Sequence, residues 1–342
     1  MDFSLTDERR MLRDSLTGTL SRHGADADLW PRLAALGIGQ ALLTPAQGGF
    51  GGEGPDIALI FRELGHAGAV TPALDSVLIG AAVLADAGRP DLAEAAAAGD
   101  LALALADEEP GGDPATRAEP DGDCWRISGD KPLVVGGMQA DHLLVTAHSD
   151  ADGAGVFLVS GLDVTRRGFA LMSGGQGAVV ALADTPALRL GPASLLDRPR
   201  AAAVLALCAD AQGVAEAAFD LTLDYLRQRQ QFGRAIGSFQ AIQHRMADLA
   251  VELEQMRSAV INLAGHLDAA PDLRARHVAA TKALCGQVAR LVAAECIQLH
   301  GGIGMTEEYA LAGMARRLLA LDARFGDGDS HLQDFAALAV SP

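Results

Sequence analysis

Two motifs of this chain decide its fold: Y-L-R-Q-R-Q-Q-F-G at residues 225–233, continued by I-G-S-F-Q at residues 236–240, and Q-L-H-G-G-I-G at residues 298–304. Each reads as the end of a helix that carries Arg or Gln beside glycine. Glycine lets backbone N–H groups come close to a ligand, and the planar guanidinium of Arg matches phosphate oxygens. The motifs therefore predict that helix ends hold a cofactor bearing a diphosphate.

Length and composition limit the fold and its partners. The 342 residues suffice for two or three domains, and an apolar content of 49% with only 4% aromatic residues favours helix packing. The net charge of −17 argues against nucleic acid as a partner. The sequence begins without a signal-peptide pattern, and no apolar run reaches the ~18 residues of a spanning helix. We therefore expect a soluble, cytoplasmic protein without a membrane segment.

The cysteines give no sign of a metal or redox site. Cys124, Cys208, Cys285 and Cys296 lack the close Cys and His spacing of such sites, and the last three lie in apolar helical runs. We expect reduced thiols, with the three helical ones in the core, and no bound metal.

The chain changes character twice, which predicts a helical domain over residues 1–105, a small β domain over 106–193 and a helical domain over 194–342. Ser4 or Thr6 is the expected cap of the first helix. In the second domain, β-type segments alternate with Gly-Asp, Gly-Gly and Asp-Gly pairs. The predicted helices of the first domain cover residues 4–22, 30–43, 55–66, 72–88 and 90–99, and the predicted strands cover 125–127, 133–135, 143–146 and 156–159.

The third domain contains a long apolar helix. Apolar residues recur in steps of three and four from Phe239 to Leu267, and a second long helix over residues 276–300 ends at Gly301 and Gly302. An apolar seam of this length is typical of a bundle or coiled coil. We expect the first of these helices to pack in an intersubunit bundle as well as in its own domain.

The two motifs resemble the C-terminal domain of the acyl-CoA dehydrogenase family, and the order of helical, β and helical segments fits that family along the whole chain. The resemblance implies an α+β, acyl-CoA dehydrogenase-like fold with an N-terminal helical domain, a small middle β domain and a C-terminal four-helix-bundle domain. It also implies FAD as the cofactor. The positions that match those binding its ADP half, which the family supplies across a subunit interface, are Arg229, Gln231, Phe232, Gln240, Gln298, Gly301 and Gly302.

The resemblance weakens where the family recognises the flavin ring. The family pattern T-E-P-G-A-G-S-D becomes D-E-E-P-G-G-D at residues 107–113, which keeps Glu-Pro-Gly and loses the hydroxyl side chains. The pattern W-I-T-N-G becomes L-V-V-G-G at residues 133–137. Val135 stands where a Thr bonds the flavin and Leu133 where a Trp covers its ring, and a valine side chain has no group for such a bond.

The catalytic base is also altered. In the family a Glu near the C-terminus removes the α proton of the acyl-CoA while a hydride leaves the β carbon. The segment that matches it, R-F-G-D-G-D-S-H at residues 324–331, places Asp327 or Gly326 at that position, depending on the alignment. Asp327 is the candidate base, although a Gly-Asp loop also suits a plain turn. Some relatives carry the base on an earlier helix, where this chain has Ala203. His300 could also be considered as a base, but a histidine at the C-terminal end of a helix is already favoured by the helix dipole, so its position needs no catalytic role.

The ADP-end residues are therefore kept, while those for the flavin ring and the base are altered. Such a pattern is coherent if the chain pairs with a larger homologous subunit, as in the two-gene α2β2 acyl-CoA dehydrogenases of bacterial steroid side-chain degradation. The resemblance then implies the short, non-catalytic subunit of a heterotetramer that dehydrogenates an acyl-CoA substrate at the α,β bond. Two alternatives stay open: a self-sufficient dehydrogenase or related flavin oxidase with Asp327 as base, and a structural family member that binds no flavin.

Overall fold

The computed structural model describes residues 5–24, 26, 29–112, 115–122 and 124–340. Its helices are α1 (Asp7–His23), α2 (Leu29–Ala35), α3 (Ile38–Ala41), α4 (Gly54–His66), α5 (Ala82–Asp86), α6 (Pro90–Ala98), α7 (Asp197–Gln228), α8 (Gln240–His266), α9 (Pro271–His300), α10 (Ala310–Ala323) and α11 (Gly328–Val340). Its strands are β1 (Leu103–Ala106), β2 (Arg117–Asp121), β3 (Cys124–Val135), β4 (His142–Ser149), β5 (Gly153–Ser160), β6 (Thr165–Ala170), β7 (Gln176–Pro192), β8 (Gln230–Gln231) and β9 (Arg234–Ala235). The predicted order of helical, β and helical segments is confirmed.

The first helices follow their sequence signals with one exception, and the helix predicted over residues 72–88 begins as a π-helix over Ala73–Ala81 that α5 continues. The Thr6 hydroxyl caps α1 by accepting a hydrogen bond from the backbone N–H of Arg9 at 3.3 Å. Ser4, the other predicted cap, lies outside the described residues. The single helix predicted over residues 30–43 is wrong, because the chain forms α2 and α3 with a break at Gly37, whose φ is +82°.

The strands β1 to β7 form one sheet that closes on itself. β4, β2, β3, β7 and β5 follow one another around a ring, which the pairing of β5 with β4 completes. β1 adds to β4, and β6 adds to β7. Closure leaves few free edges, so a small sheet is stable without a covering layer on every side. The segments predicted at residues 125–127 and 133–135 are parts of the single strand β3, and β7, which the sequence did not predict, pairs with β3, β5 and β6.

The interior of this barrel is apolar. Ile127, Val134 and Phe157 are fully buried in it, and the Trp125 ring lies 5.4 Å from the Phe157 ring, centroid to centroid. These side chains come from β3 and β5, both of which pair with β7, and their inward positions share one core.

The long apolar helix predicted from the seam is confirmed as α8. Seam residues from Met246 to Leu263 are buried in it, and α9 packs against α8, α10 and α11. The seam therefore faces the interior of its own chain. A partner would have to contact the other face of α8, where Val251 is 59% exposed, and the intersubunit bundle stays a prediction.

The chain divides into two compact units. One contains α1, Gly54–Ala69 and the chain from Val204 onward; the other contains Asp26–Glu53 and Val70–Ala203. The three-domain division remains a prediction. Among the described helices, Ala193–Gln228 is long and apolar enough to cross a membrane by length and composition, but 83% of its most apolar window is buried inside the protein, as in a core helix.

The cysteines are free thiols. Cys208, Cys285 and Cys296 are buried, as predicted, and Cys124 is exposed. Within the described residues no group of three or more His, Cys, Asp or Glu side chains is arranged to hold a metal ion.

Candidate functional site

The fold brings the two motifs together at the ends of two helices. Tyr225 lies in the last turn of α7, and His300 is the last residue of α9. Their rings stack with centroids 4.4 Å apart and planes 22° apart. The Tyr225 hydroxyl also donates a hydrogen bond to the His300 carbonyl oxygen at 3.2 Å. The fold therefore brings together the residues of the two motifs that are predicted to bind the cofactor.

The first motif continues from α7 into a tight hairpin. β8 and β9 pair through Gln231 and Arg234, and the two turn residues, Phe232 and Gly233, have φ values of 55° and 78°. Two positive φ angles in a row are the pattern of a type I′ turn, which suits the twist of a two-residue hairpin. The sequence predicted only a helix end here, and the hairpin is a finding of the structure that Gly233 at the second turn position favours.

This hairpin presents an aromatic side chain to solvent. Phe232 is 90% exposed. Its ring is nearly perpendicular to the Phe239 ring, and the two ring centroids are 6.2 Å apart. The Arg234 guanidinium lies over the Phe239 ring at 4.0 Å from its centroid. An exposed ring at a tip held by ring and cation contacts is suited to lie against a planar ligand group.

The polar side chains that the two motifs offer for cofactor binding are not engaged by other described residues of the protein. They are exposed and, in the part of the chain that the structure describes, make no side-chain hydrogen bond or ion pair: Arg229, Gln231, Gln240 and Gln298. The Arg229 backbone is fixed, because its N–H donates to the Tyr225 carbonyl at 2.8 Å and its carbonyl accepts from Ile236 at 2.9 Å. A fixed backbone with a free guanidinium is the arrangement that a charged ligand needs.

The second motif leaves its backbone accessible. α9 ends at Gly301, whose φ is +67°, and both Gly301 and Gly302 are exposed with open space where a side chain would be. A ligand can thus approach these peptide groups closely. Together with the four free side chains, they form a surface of donors suited to phosphate and ribose oxygens.

His300 is buried beneath this surface. Its side chain lies between α7 and α9, and the residue is only 4% exposed. Its Nδ1 is 2.9 Å from the Cys296 carbonyl oxygen, and its Nε2 is 3.1 Å from the Tyr309 hydroxyl. Burial lowers the pKa of His300 below its ordinary value.

The candidate base lies in the loop between α10 and α11. Asp327 is exposed and caps α11: its Oδ1 accepts hydrogen bonds from the backbone N–H and the hydroxyl of Ser330. These bonds hold the pKa of Asp327 below its ordinary value. A carboxylate stabilised in this way is a weaker base, and its cap role fits the plain turn interpretation.

Buried charges hold this loop in place. The Lys282 ammonium donates to the carbonyl oxygens of Leu321 and Asp322 at 2.8 and 2.9 Å. The Asp322 carboxylate pairs with Arg290 and accepts a hydrogen bond from the Gly328 N–H. The sequence did not point to these residues, since α9 and α10 are brought together only by the fold.

The barrel carries the residues that replace the family's flavin-ring contacts. Leu133 and Val135 lie on the outward face of β3, whereas Val134 between them is buried in the core. In the loop between β1 and β2, the Glu109 carboxylate pairs with the Lys131 ammonium, with Oε1 2.6 Å from Nζ. The residues at 113 and 114 lie outside the described part. On α7, Ala203 is buried and carries no group for proton transfer.

Comparisons with known proteins agree with this geometry. Residues 202–338 match the family model described as acyl-CoA dehydrogenase, C-terminal domain. Two relatives from Mycobacterium tuberculosis are 32% identical: acyl-CoA dehydrogenase IpdE2, with 89% of this chain and 88% of the relative covered, and acyl-CoA dehydrogenase FadE28, with 91% of each covered.

Solved structures show the same agreement over the whole chain. A chain of the ChsE4–ChsE5 complex from M. tuberculosis superposes with a TM-score of 0.92 at 26% identity, covering all of both chains. A chain of the Tcur3481–Tcur3483 steroid ACAD G363A variant superposes with a TM-score of 0.89 at 28% identity, covering 97% and 98%.

The architecture and the relatives define an oxidoreductase. The chain belongs to the acyl-CoA dehydrogenase family, which confirms both the resemblance carried by the two motifs and the predicted fold class. FAD is the cofactor that the family implies. The residues predicted to bind its ADP half fit it, because they combine a free guanidinium, free amides, an exposed ring and two open glycine peptides.

Proposed function

We propose that this chain is the ADP-side subunit of an FAD-dependent acyl-CoA dehydrogenase, completed by a larger homologous subunit. The complex would perform α,β-dehydrogenation of an acyl-CoA thioester in the cytoplasm. When bound, FAD supplies the hydride acceptor. This chain would hold the diphosphate with Arg229, the adenosine side with Phe232, Gln231 and Gln240, and the remaining oxygens with Gln298 and the open peptides of Gly301 and Gly302.

The observation that carries this proposal is the contrast between the two ends of the site. The side chains at the ADP end are exposed and unpaired, whereas Asp327 is engaged as a helix cap. Leu133 and Val135 offer aliphatic groups where a flavin ring needs a hydrogen bond. One chain with such a division gives a working site only if another chain supplies the ring contacts and the base.

The substrate class follows from the relatives. A solved structure with a TM-score of 0.89 is a steroid ACAD, and another with a TM-score of 0.92 is a complex of two differently named chains. A steroid-derived acyl-CoA is therefore the substrate class that we propose, within a heterotetramer.

The test is to produce this chain alone and together with a longer acyl-CoA dehydrogenase chain from the same genome that keeps the Glu of the family. We expect the chain alone to be colourless and inactive, and the purified pair to carry about one flavin for every two chains. A chain that is yellow and active alone would contradict the proposal. A stable pair without flavin would favour the structural alternative.

A second candidate is a self-sufficient enzyme with Asp327 as base. One observation favours it: Asp327 is exposed, and hydrogen bonds from the described residues reach only its Oδ1, which leaves Oδ2 free to accept a proton. Flavin content and turnover of the chain alone distinguish this candidate from the paired subunit.

A further inference from the structure

Three aromatic rings from separate elements meet beneath the proposed cofactor surface. Tyr225 is in α7, His300 ends α9, and Tyr309 directly precedes α10. The ring centroids of Tyr225 and Tyr309 lie 4.4 and 5.2 Å from that of His300. We call these residues the three-ring cluster. They include both tyrosines of the chain.

The hydrogen bonds of His300 define its protonation state. The Cys296 carbonyl 2.9 Å from Nδ1 can only accept a hydrogen bond, so we assign the proton to Nδ1. In the neutral ring Nε2 is then an acceptor, and the Tyr309 hydroxyl at 3.1 Å donates to it. Adding a proton at Nε2 would reverse this bond and place a charge in a buried site.

The surroundings compensate such a charge only in part, because the Cys296 carbonyl favours the protonated ring but burial outweighs it. The titratable groups in contact with the His300 ring are Tyr225 on α7 and Tyr309 before α10, and the contact with its own helix is the backbone carbonyl of Cys296. Burial is the main cause of the lowered pKa of His300, and no carboxylate among the described residues contributes to it. The neutral form is therefore the one that the fold accepts.

The cluster is connected directly to the residues that face the ligand. The Tyr225 carbonyl accepts the hydrogen bond of the Arg229 N–H at 2.8 Å, and the Tyr225 hydroxyl donates to the carbonyl of His300, the residue before Gly301. A shift of the α7 end against the α9 end would thus change the distance between Arg229 and Gly301. Recognition of a diphosphate from two sides depends on that distance.

We propose that Tyr225, His300 and Tyr309 are positioning residues of the cofactor site, which hold the ends of α7 and α9 in register only while His300 is neutral. This rests on the proposed function for the identity of the ligand. It predicts that FAD affinity falls as His300 takes up a proton, by about tenfold for each pH unit below its pKa.

The first test needs no cofactor. NMR spectra of the full chain labelled with 15N-histidine report the tautomer and the titration of each ring, and His300→Gln assigns the signal. We expect the Nδ1–H tautomer and a titration midpoint below that of an ordinary histidine. An Nε2–H tautomer, or an ordinary midpoint, would overturn the proposal.

The second test measures FAD affinity of the complex of this chain with its partner from pH 5 to 8. Tyr309→Phe and Tyr225→Phe each remove one hydroxyl and keep the ring, and we expect them to weaken FAD binding about threefold to tenfold at pH 7.5. His300→Gln should flatten the pH profile, because it removes the titrating group. His266→Gln, which changes another helix-end histidine, should keep the wild-type profile.

The two tests separate the possible failures. Tyrosine variants that bind FAD as the wild type does at every pH would overturn the positioning role. If the wild-type complex with the partner binds no FAD while His300 is a neutral Nδ1–H ring with a depressed midpoint, the proposed function fails and the neutral cluster is supported. Any other NMR result overturns the cluster as well.

Discussion

Asp327 and Ser330 form a complete helix cap: Oδ1 of Asp327 accepts hydrogen bonds from the backbone N–H of Ser330 at 2.8 Å and from its hydroxyl at 2.7 Å. The residue that aligns with the family's base is therefore engaged in holding the first turn of α11. Its depressed pKa has the same origin, since both bonds favour the ionised carboxylate. A helix cap needs only an acceptor oxygen, whereas a base needs a carboxylate that can take up a proton. The substitution Asp327→Asn keeps the first property and removes the second.

We predict that Asp327→Asn leaves turnover of the paired enzyme within about threefold of the wild type, because an amide oxygen still caps the helix. If Asp327 removes the α proton, turnover should instead fall by about 10²–10⁴-fold. The measurement is the steady-state rate with an artificial electron acceptor, normalised to flavin content. A loss above about a hundredfold at unchanged flavin content would establish the self-sufficient enzyme.

Arg229→Ala should weaken FAD binding. The guanidinium is exposed and has no partner within the described residues, so its removal deletes a charge-assisted contact without disturbing the fold. Such contacts contribute about 1.5–3 kcal/mol, which corresponds to about a tenfold to hundredfold higher Kd. Isothermal titration of the apo complex with FAD measures the change.

Arg227→Ala is the matched control for this prediction. Arg227 is two residues away, and its guanidinium lies 3.4 Å from Asp224 with both side chains 66% exposed. Exposed pairs contribute little, so stability and FAD affinity should both stay close to the wild type. Equal losses for the two variants would mean that general positive charge, rather than the position of Arg229, is what FAD requires.

Glu109→Gln should destabilise the barrel and reduce its sensitivity to acid. Lys131 is fully buried, and the variant leaves its ammonium without its carboxylate partner. Breaking a buried pair costs about 3–5 kcal/mol, and we expect the lower end because Asp107 and Glu108 also act on Lys131. Urea unfolding at pH 7 measures this loss. The exposed pair of Asp121 with Arg126 provides a control, and Asp121→Asn should cost less than about 1 kcal/mol.

The pH dependence of this pair follows from the pKa of Glu109. Burial acts to raise that pKa, but the hydrogen bond and charge of Lys131 outweigh it, so the pKa lies below its ordinary value. The stabilisation is therefore complete above about pH 4.3, the unfolded value, and is lost as the pH falls through the folded pKa. The free energy of unfolding should drop less between pH 6 and pH 3.5 in Glu109→Gln than in the wild type. An equal drop would show that the pair does not govern acid sensitivity.

Gly213→Ala should disrupt the contact of α4 with α7. A Cβ atom at Gly213 would lie 2.0 Å from the Arg62 carbonyl oxygen and 2.6 Å from the His66 N atom, so the helices would have to separate. We expect a loss of about 2–3 kcal/mol in unfolding free energy. Gly313→Ala in α10 is the control: its Cβ would meet nothing within 4 Å, and the change should stabilise by about 0.5–1 kcal/mol. The prediction is wrong if both variants are stabilised.

The sequence predicted the elements whose signal is local. The seam of α8 repeats every three or four residues, and that spacing places one apolar face inward whatever lies opposite. Short β-type segments were recognised in β4 and β5 because several β-forming residues follow one another there. β7 was missed because its partners β3, β5 and β6 supply its hydrogen bonds, and none of them is visible in its own residues.

The candidate site also contains residues that the local sequence predicted and residues that only the tertiary structure revealed. Arg229, Gln298 and the glycines beside them could be predicted as cofactor contacts because residue type and spacing carry the signal for phosphate contact. Only the tertiary structure showed that Tyr225 and Tyr309 close around His300, or that Asp327 is held by Ser330 and its loop by Lys282. The two tyrosines offered a weak signal, since one begins the first motif and the other follows the second.

The family and the long bundle helices could be predicted from the residues of single segments, because each depends on periodicity or on a short motif. The residues that face the cofactor are proposed from the same motifs. The tertiary structure alone decided the closure of the barrel, the meeting of the α7 and α9 ends, and the burial of His300. These features join residues of different elements, and Tyr225 and His300 are 75 positions apart in the chain. Their energies come from desolvation and from paired geometry, which exist only once the chain has folded.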